Sequence, residues 1–211
     1  MTQAKTTHKP ETKRLIVGIS GASGVIYGVR LLEILKSEKI ETHLVMTKAA
    51  ELTIGHETGM TPRDVEALAH TRYQLSDIGG AIASGSFKTL GMVVAPCSVR
   101  SMSEIATGVT SNLLTRAADV VLKERRRLVL MVRETPLHTG HLRTMTHLSE
   151  IGAIIAPPVP AFYAAPKSID DIVTQTVARV LDLFDVSTDL TKRWGEDLKG
   201  GKRRPVKPTK H

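Results

Sequence analysis

Cysteine occurs once in this chain of 211 residues, at Cys97. No internal disulfide can form, a pattern that fits a reducing compartment and points to the cytoplasm. Aromatic residues make up only 3% of the sequence, with a single tryptophan at Trp194, too few to build a stacking platform for single-stranded nucleic acid. No apolar run approaches the roughly 18 residues that a membrane span needs. The first 13 residues lack the apolar centre of a signal peptide, which argues against export. Neither G-x-G-x-x-G nor G-x-x-x-x-G-K-[ST] nor H-E-x-x-H occurs, so a dinucleotide fingerprint, a Walker loop and a zinc-protease helix are unsupported. Without that pattern, His138, His141 and His147 are only a weak metal signal, and we expect no metal site there.

A balanced interior is also missing from the first impression of charge. The net charge of +8 resembles a nucleic-acid signal until it is located. Residues 1–13 hold three Lys against one Glu, and residues 197–211 hold six Lys/Arg against one Asp. The tails therefore carry +2 and +5, which leaves +1 for the body. Both tails are rich in Lys, the carboxyl-terminal one with Gly and Pro as well, and they read as disordered and solvated. Nucleic acid and membrane are not expected partners.

What the chain does contain is a regular alternation of apolar strands and helical patterns. Residues 14–19, 42–46, 92–95, 128–132 and 153–156 read as strands, the third ending at Pro96. Helices are expected over about 25–37, 113–125 and 141–151. From Ile169 onward, Ile172, Val173, Thr176, Val177, Val180, Leu181 and Phe184 recur at three- and four-residue spacing, one face of a long helix. Nearly continuous apolar strands that alternate with helices predict a doubly wound, mostly parallel sheet with helices on both faces. Without internal repeats or linkers, residues 14–196 form one α/β domain.

The strand ends carry the chemistry, because ligands of open α/β sheets bind at the carboxyl ends of the strands. Leu128 to Val132 delivers Arg133 and Glu134 to such an end, a cation beside a carboxylate suited to holding an anion and moving a proton. Gly18 to Gly24 joins the first strand to the first helix. Its glycines allow close approach of a ligand, and the helix start beyond offers N–H groups and a positive dipole end for a phosphate. Ser98, Val99, Arg100 and Ser101 follow the third strand and could cradle a phosphate or a flavin rim. Cys97, at the same place, reads as a small buried hydrophobe rather than a nucleophile. The run Lys123 to Arg127 closes a helix, where cations complement the dipole; Lys123 follows Asp119 by one turn. Tyr163 follows the rigid segment Pro158-Val159-Pro160, and Arg179 lies between Val177 and Val180 on the long helix.

These segments resemble the UbiX-type flavin prenyltransferases, flavoproteins with a Rossmann-like fold. The matching pieces are Leu15 to Gly24, Ser84-Gly85-Ser86-Phe87, Ala95-Pro96-Cys97-Ser98, Leu114 to Arg125, Arg133-Glu134-Thr135-Pro136-Leu137 and Pro157 to Tyr163. The likeness spans roughly 14–196 and rests on several long motifs in order. It implies a metal-independent transferase that joins the dimethylallyl group of dimethylallyl phosphate to reduced FMN. The bond forms first at the flavin's central-ring nitrogen, and the group is then cyclised onto the neighbouring benzenoid carbon. The prenylated FMN would pass to a UbiD-type decarboxylase of quinone synthesis or aromatic acid breakdown. The resemblance further implies a homo-oligomer, a dodecamer, with flavin at subunit junctions.

Residue by residue, the resemblance places Gly21, Ala22 and Ser23 at the FMN phosphate, with Thr47 at the second strand's end. Ser98, Val99, Arg100, Ser101 and Arg133 would line the flavin. Lys123, Tyr163 and Arg179 would grip the dimethylallyl phosphate. Arg116, Glu57 and Glu134 would stand nearby, some from a neighbouring subunit, and Trp194 beside the prenyl pocket. Glu57, Lys123, Glu134 and Tyr163 are the expected catalytic residues, with Glu134 the candidate proton relay. Where relatives commonly read Lys/Arg-Thr-Leu after the Cys-Ser pair, this chain has Arg100-Ser101-Met102, which keeps the hydroxyl. The basic carboxyl tail is not a usual family feature. Two other readings compete: an FMN-dependent cysteine decarboxylase, whose P-x-M-N-type segment is missing here, and a non-catalytic flavin-binding module.

Overall fold

The computed structural model describes residues 12–190. Residues 1–11 of the expected amino-terminal tail, the whole of 197–211 and Trp194 lie outside the described residues. Six strands form one parallel sheet: β1 (Arg14–Ile19), β2 (Glu41–Met46), β3 (Thr71–Tyr73), β4 (Gly91–Cys97), β5 (Arg127–Val132) and β6 (Ala153–Ile155), in the spatial order β3-β2-β1-β4-β5-β6. Every pairing among the described residues is parallel, in keeping with the doubly wound sheet expected from the sequence.

Side chains alternate across this sheet as strand geometry requires. Leu15, Val17, Val93, Ala95, Val129 and Met131 point into one core, which they share with α1 (Ile26–Ser37) and α7 (Ile169–Asp182). Ile16, Met92, Val94, Leu128 and Leu130 point the other way, toward α4 (Val99–Thr107), α5 (Leu113–Lys123) and α6 (Thr139–Glu150). A sheet buried on both faces explains why β1, β4 and β5 read as unbroken apolar runs. Caps set the helix starts. Asn112 and Thr115 form a capping box at α5, and Ser168 and Asp171 form one at α7. His138 accepts the Gly140 N–H and starts α6 two residues earlier than its apolar pattern suggests.

Among the described residues, four α-helices and strands are additional to those expected from the sequence, besides short 3-10 turns at Ala81–Ala83 and Phe162–Ala164. α2 (Lys48–Glu57) buries only Ala50 and Ile54, and α3 (Pro62–Glu66) only Val65, so neither shows a helical stripe. β3 is a three-residue polar edge strand. α4 occupies the segment read as a ligand-cradling loop after Pro96; β4 runs on to Cys97, and Ser98 caps the helix through the Ser101 N–H. A polar outer face left too few apolar residues to betray it: only Ser101, Met102 and Ile105 are buried.

The strand order places a topological switch point between β1 and β4. From β1 the chain turns to α1 on one face, and from β4 to α4 on the other. The two loops diverge there and leave a crevice at the carboxyl edge. No helix of the described residues is long and apolar enough to cross a membrane.

Candidate functional site

Five strand ends open onto one edge. β1 leads into Ser20–Gly24, β2 into Thr47, β4 into Ser98, β5 into Arg133–Thr135 and β6 into the segment that ends at Tyr163. The turn after β1 is pressed against the start of α2. A Cβ on Gly21 would stand 2.3 Å from the Ala49 Cβ, so glycine is required by packing. Thr47 donates its N–H to the Ile19 carbonyl at 3.0 Å, and its Oγ1 accepts the Ala50 N–H at 3.1 Å. It caps α2 and ties the second strand's end to the first.

Glu57 closes α2 and folds back over this turn. Its Oε2 accepts the Gly24 N–H at 2.7 Å and the Val25 N–H at 3.2 Å. The free N–H groups expected at the start of α1 are therefore partly occupied by an internal anion, and Val25, the N-cap, offers no side-chain cap of its own. Burial pushes the Glu57 carboxyl upward, but hydrogen bonds from Ser23, Gly24 and Val25 and the nearby charge of Arg133 outweigh it. The group is held below its ordinary value of 4.5. Glu57 is thus an ionised carboxylate at neutral pH. The turn's N–H donors with no partner among the described residues are those of Gly21 and Ser23, the stretch that the resemblance assigns to phosphate.

On the other side of the crevice, the first turn of α4 supplies a second set of donors. The Ser98 N–H is taken by Ser20 Oγ at 2.7 Å, and the Ser101 N–H by Ser98 Oγ at 3.3 Å. Val99 and Arg100 open the helix, and their N–H groups have no partner among the described residues, at an amino terminus where the dipole favours negative charge. The Arg100 side chain lies along its own helix, with Nε 2.9 Å from Glu104 Oε1, so Arg100 can serve the site through its backbone. Arg133 is exposed at the β5 tip, with its N–H on the Cys97 carbonyl at 3.0 Å. Glu134 is half-buried, and its Oε1 accepts the Thr135 N–H at 2.9 Å. Arg133 and Glu134 make no ion pair with each other; the Arg133 charge acts on Glu57 instead. Tyr163 sits in a short turn at Phe162–Ala164 on the same edge, 49% exposed beside Phe162 at 73%.

Three expected substrate residues stand elsewhere on the protomer. α5 returns toward the start of β5, so Lys123 lies at the amino edge, the opposite end of the sheet. Its Nζ is 2.6 Å from Glu124 Oε1, above Gly85, while Arg126 donates to the Gly85 and Phe87 carbonyls at 2.6 and 2.7 Å. Arg116 pairs with Asp119 at 2.7 Å midway along α5, and Arg179 pairs with Asp182 near the end of α7. One protomer therefore brings together Gly21, Ser23, Glu57, Arg133 and the α4 donors, but not Lys123, Arg116 or Arg179. A cavity of about 440 Å³ lies beside the crevice, at the ends of β2 and β3, lined by Lys48, Glu51, Arg72 and Tyr73 among others. None of the expected flavin residues lines it.

Cys97 is fully buried, and desolvation pushes its thiol up to about 12. We expect native protein at pH 8 to resist iodoacetamide while urea-unfolded protein is alkylated, with mass spectrometry as the readout; rapid native alkylation would contradict the burial. His138 and His141 stack at 3.7 Å between ring centroids, and the described residues hold no group of three or more His, Cys, Asp or Glu placed to share a metal. Ser20, fully buried between the two loops, is a residue that sequence reasoning passed over. Its one signal was a serine directly after the last apolar residue of β1.

The profile of the Flavoprotein family matches residues 3–181. The flavin prenyltransferase UbiX of Escherichia coli K12 is 61% identical over 185 residues, which cover 86% of this chain and 98% of that protein. A crystal structure of AnUbiX in complex with FMN and dimethylallyl pyrophosphate superposes with a TM-score of 0.86 at 47% identity, covering 87% of this chain and 98% of that one. A dodecameric FMN-dependent UbiX-like decarboxylase from Escherichia coli O157:H7 gives 0.84 at 49% identity, covering 86% and 98%. With this likeness along nearly the whole domain, the chain belongs to the UbiX-type flavin prenyltransferases of the flavoprotein family.

Proposed function

We propose that this protein transfers the dimethylallyl group of dimethylallyl phosphate to reduced FMN. The observation that carries the reading is the crevice between β1 and β4. The N–H groups of Gly21 and Ser23 on the β1 side, and of Val99 and Arg100 on the β4 side, have no partner among the described residues and flank the switch point, with Arg133 at the β5 tip on the same edge. This donor set fits a flavin mononucleotide: the turn suits its phosphate, and the α4 donors with Arg133 suit the electron-rich edge of its ring. Reduced FMN supplies the nucleophilic ring atoms when bound.

The chain's own residues then have three tasks. Lys123, Tyr163 and Arg179, with Arg116 nearby, hold the phosphate of the allyl donor and stabilise the charge that grows there as its C–O bond breaks. Glu134 accepts the proton released when the ring closes. Glu57, ionised and anchored on Gly24 and Val25, holds a fixed negative charge beside the turn. Since Lys123 occupies the amino edge of its own protomer, a neighbouring copy presents it to the crevice, consistent with a homo-oligomer such as the dodecamer described for a 49% identical relative. Trp194 is the proposed wall of the prenyl pocket. The product would be consumed by a UbiD-type decarboxylase, in the cytoplasm.

The test is anaerobic incubation with reduced FMN and dimethylallyl phosphate, followed by mass spectrometry of the extracted flavin. A gain of one prenyl unit is expected. Unmodified flavin that still co-purifies with the protein would favour a cysteine decarboxylase or a binding module.

A further inference from the structure

The β1–β4 ladder runs from Ile16–Met92 through Gly18–Val94 and goes no further. Beyond it the strands diverge into the two loops that face the crevice. One fully buried side chain spans that gap. Ser20 Oγ donates to the Pro96 carbonyl at 2.9 Å and accepts the Ser98 N–H at 2.7 Å, while the Ser20 N–H reaches the same carbonyl at 3.2 Å. The hydroxyl thus uses its donor and an acceptor position at once, each on the far loop.

We infer that Ser20 is a positioning residue for flavin binding: its hydroxyl clasps the β1 and β4 loops at a fixed separation and decides which α4 donors face the ligand. The clasp consumes the Ser98 N–H, and Ser98 Oγ in turn consumes the Ser101 N–H. The donors left to the ligand are those of Val99 and Arg100. On the near side, Gly21 follows Ser20 directly, so the same residue sets where the phosphate-directed turn begins. Without the hydroxyl, the Ser98 N–H is orphaned inside the protein and competes for the ligand or for water. The crevice loses its fixed width, and binding must then reorder it. The inference rests on the proposal that FMN occupies this crevice.

The experiment measures FMN affinity by quenching of flavin fluorescence, together with Tm, for wild type, Ser20→Ala, Ser20→Thr and Thr42→Val. Thr42 is equally buried, but its hydroxyl bonds His70 at the amino end of β2, away from the crevice. Ser20→Ala should raise the Kd about tenfold and raise KM for FMN with little change in kcat. Ser20→Thr, which keeps the hydroxyl, should restore the affinity. Thr42→Val should lower Tm without moving Kd. If Ser20→Ala lowers Tm yet binds FMN as wild type does, or if Thr42→Val weakens binding equally, the clasp is only structural and the inference fails. Should the alanine variant not fold, Ser20→Cys, a weaker donor and acceptor, replaces it with the same two readings. Failure of the wild type to bind FMN would instead remove the reading of the crevice beneath it.

Discussion

Lys123→Ala should lower prenyl transfer about 100- to 1,000-fold, the loss of about 3–4 kcal/mol of charge stabilisation at the leaving phosphate, while FMN binding stays at the wild-type level. Affinity is spared because Lys123 lies at the amino edge of the sheet, held by Glu124 above Gly85, whereas the donors proposed for FMN occupy the carboxyl edge. The same separation yields a stronger test. If a neighbouring subunit presents Lys123, its defect and a defect in the crevice reside on different chains. Glu57→Gln alters the crevice side, since Glu57 anchors on Gly24 and Val25 of its own protomer. Each variant alone should be inactive. Unfolded together, mixed and refolded, they should recover activity at about one site in four by statistical assembly of a closed oligomer. Prenylated flavin measured by mass spectrometry decides it. No recovery would mean that Lys123 serves its own protomer, and wild-type turnover by Lys123→Ala alone would end its assignment to the phosphate.

That geometry also shows which parts of the molecule the sequence could reveal. β1, β4 and β5 were legible because a strand buried on both faces leaves an apolar run, and α5 and α7 because each buries a wide stripe. α2 and α4 were not, since each buries only two or three residues and spends its outer face on polar groups. The polarity of the strands sufficed to collect Gly21, Ser98 and Arg133 at one edge before any coordinates. Glu57 was reached only through family likeness, because its role depends on α2 folding back across 33 residues of chain. The occupied start of α1 was misread for the same reason: a local pattern shows that N–H groups exist there, but not that a distant carboxylate takes them. On the proposed reading, Lys123, Arg116 and Arg179 reach a crevice only through the way copies of the chain meet, which a single chain's pattern does not encode.

Glu134→Gln should lower turnover about 100- to 10,000-fold, the usual range for a lost general base, with FMN affinity and Tm unchanged. The amide keeps an oxygen for the Thr135 N–H, which now binds Glu134 Oε1, so the strand tip retains its shape. What disappears is a group that can take a proton at the carboxyl edge. Glu57, the other carboxylate there, is a poor candidate for that task. Its hydrogen bonds and the Arg133 charge hold it below 4.5, and a carboxylate so stabilised is a weak base. The sign follows from the lowered value: the Glu57 anchor is present at neutral pH and is lost only as the pH falls through its depressed value. A fall in turnover between pH 6 and 8 therefore cannot come from Glu57. The two substitutions should consequently separate. Glu57→Gln should shift FMN affinity together with rate, because it alters the charge on the turn proposed to hold the phosphate, whereas Glu134→Gln should change the rate alone. Wild-type turnover in Glu134→Gln would transfer the proton to the departing phosphate, the remaining base released at the site, and would leave Glu134 as a hydrogen-bonded stop at the end of β5.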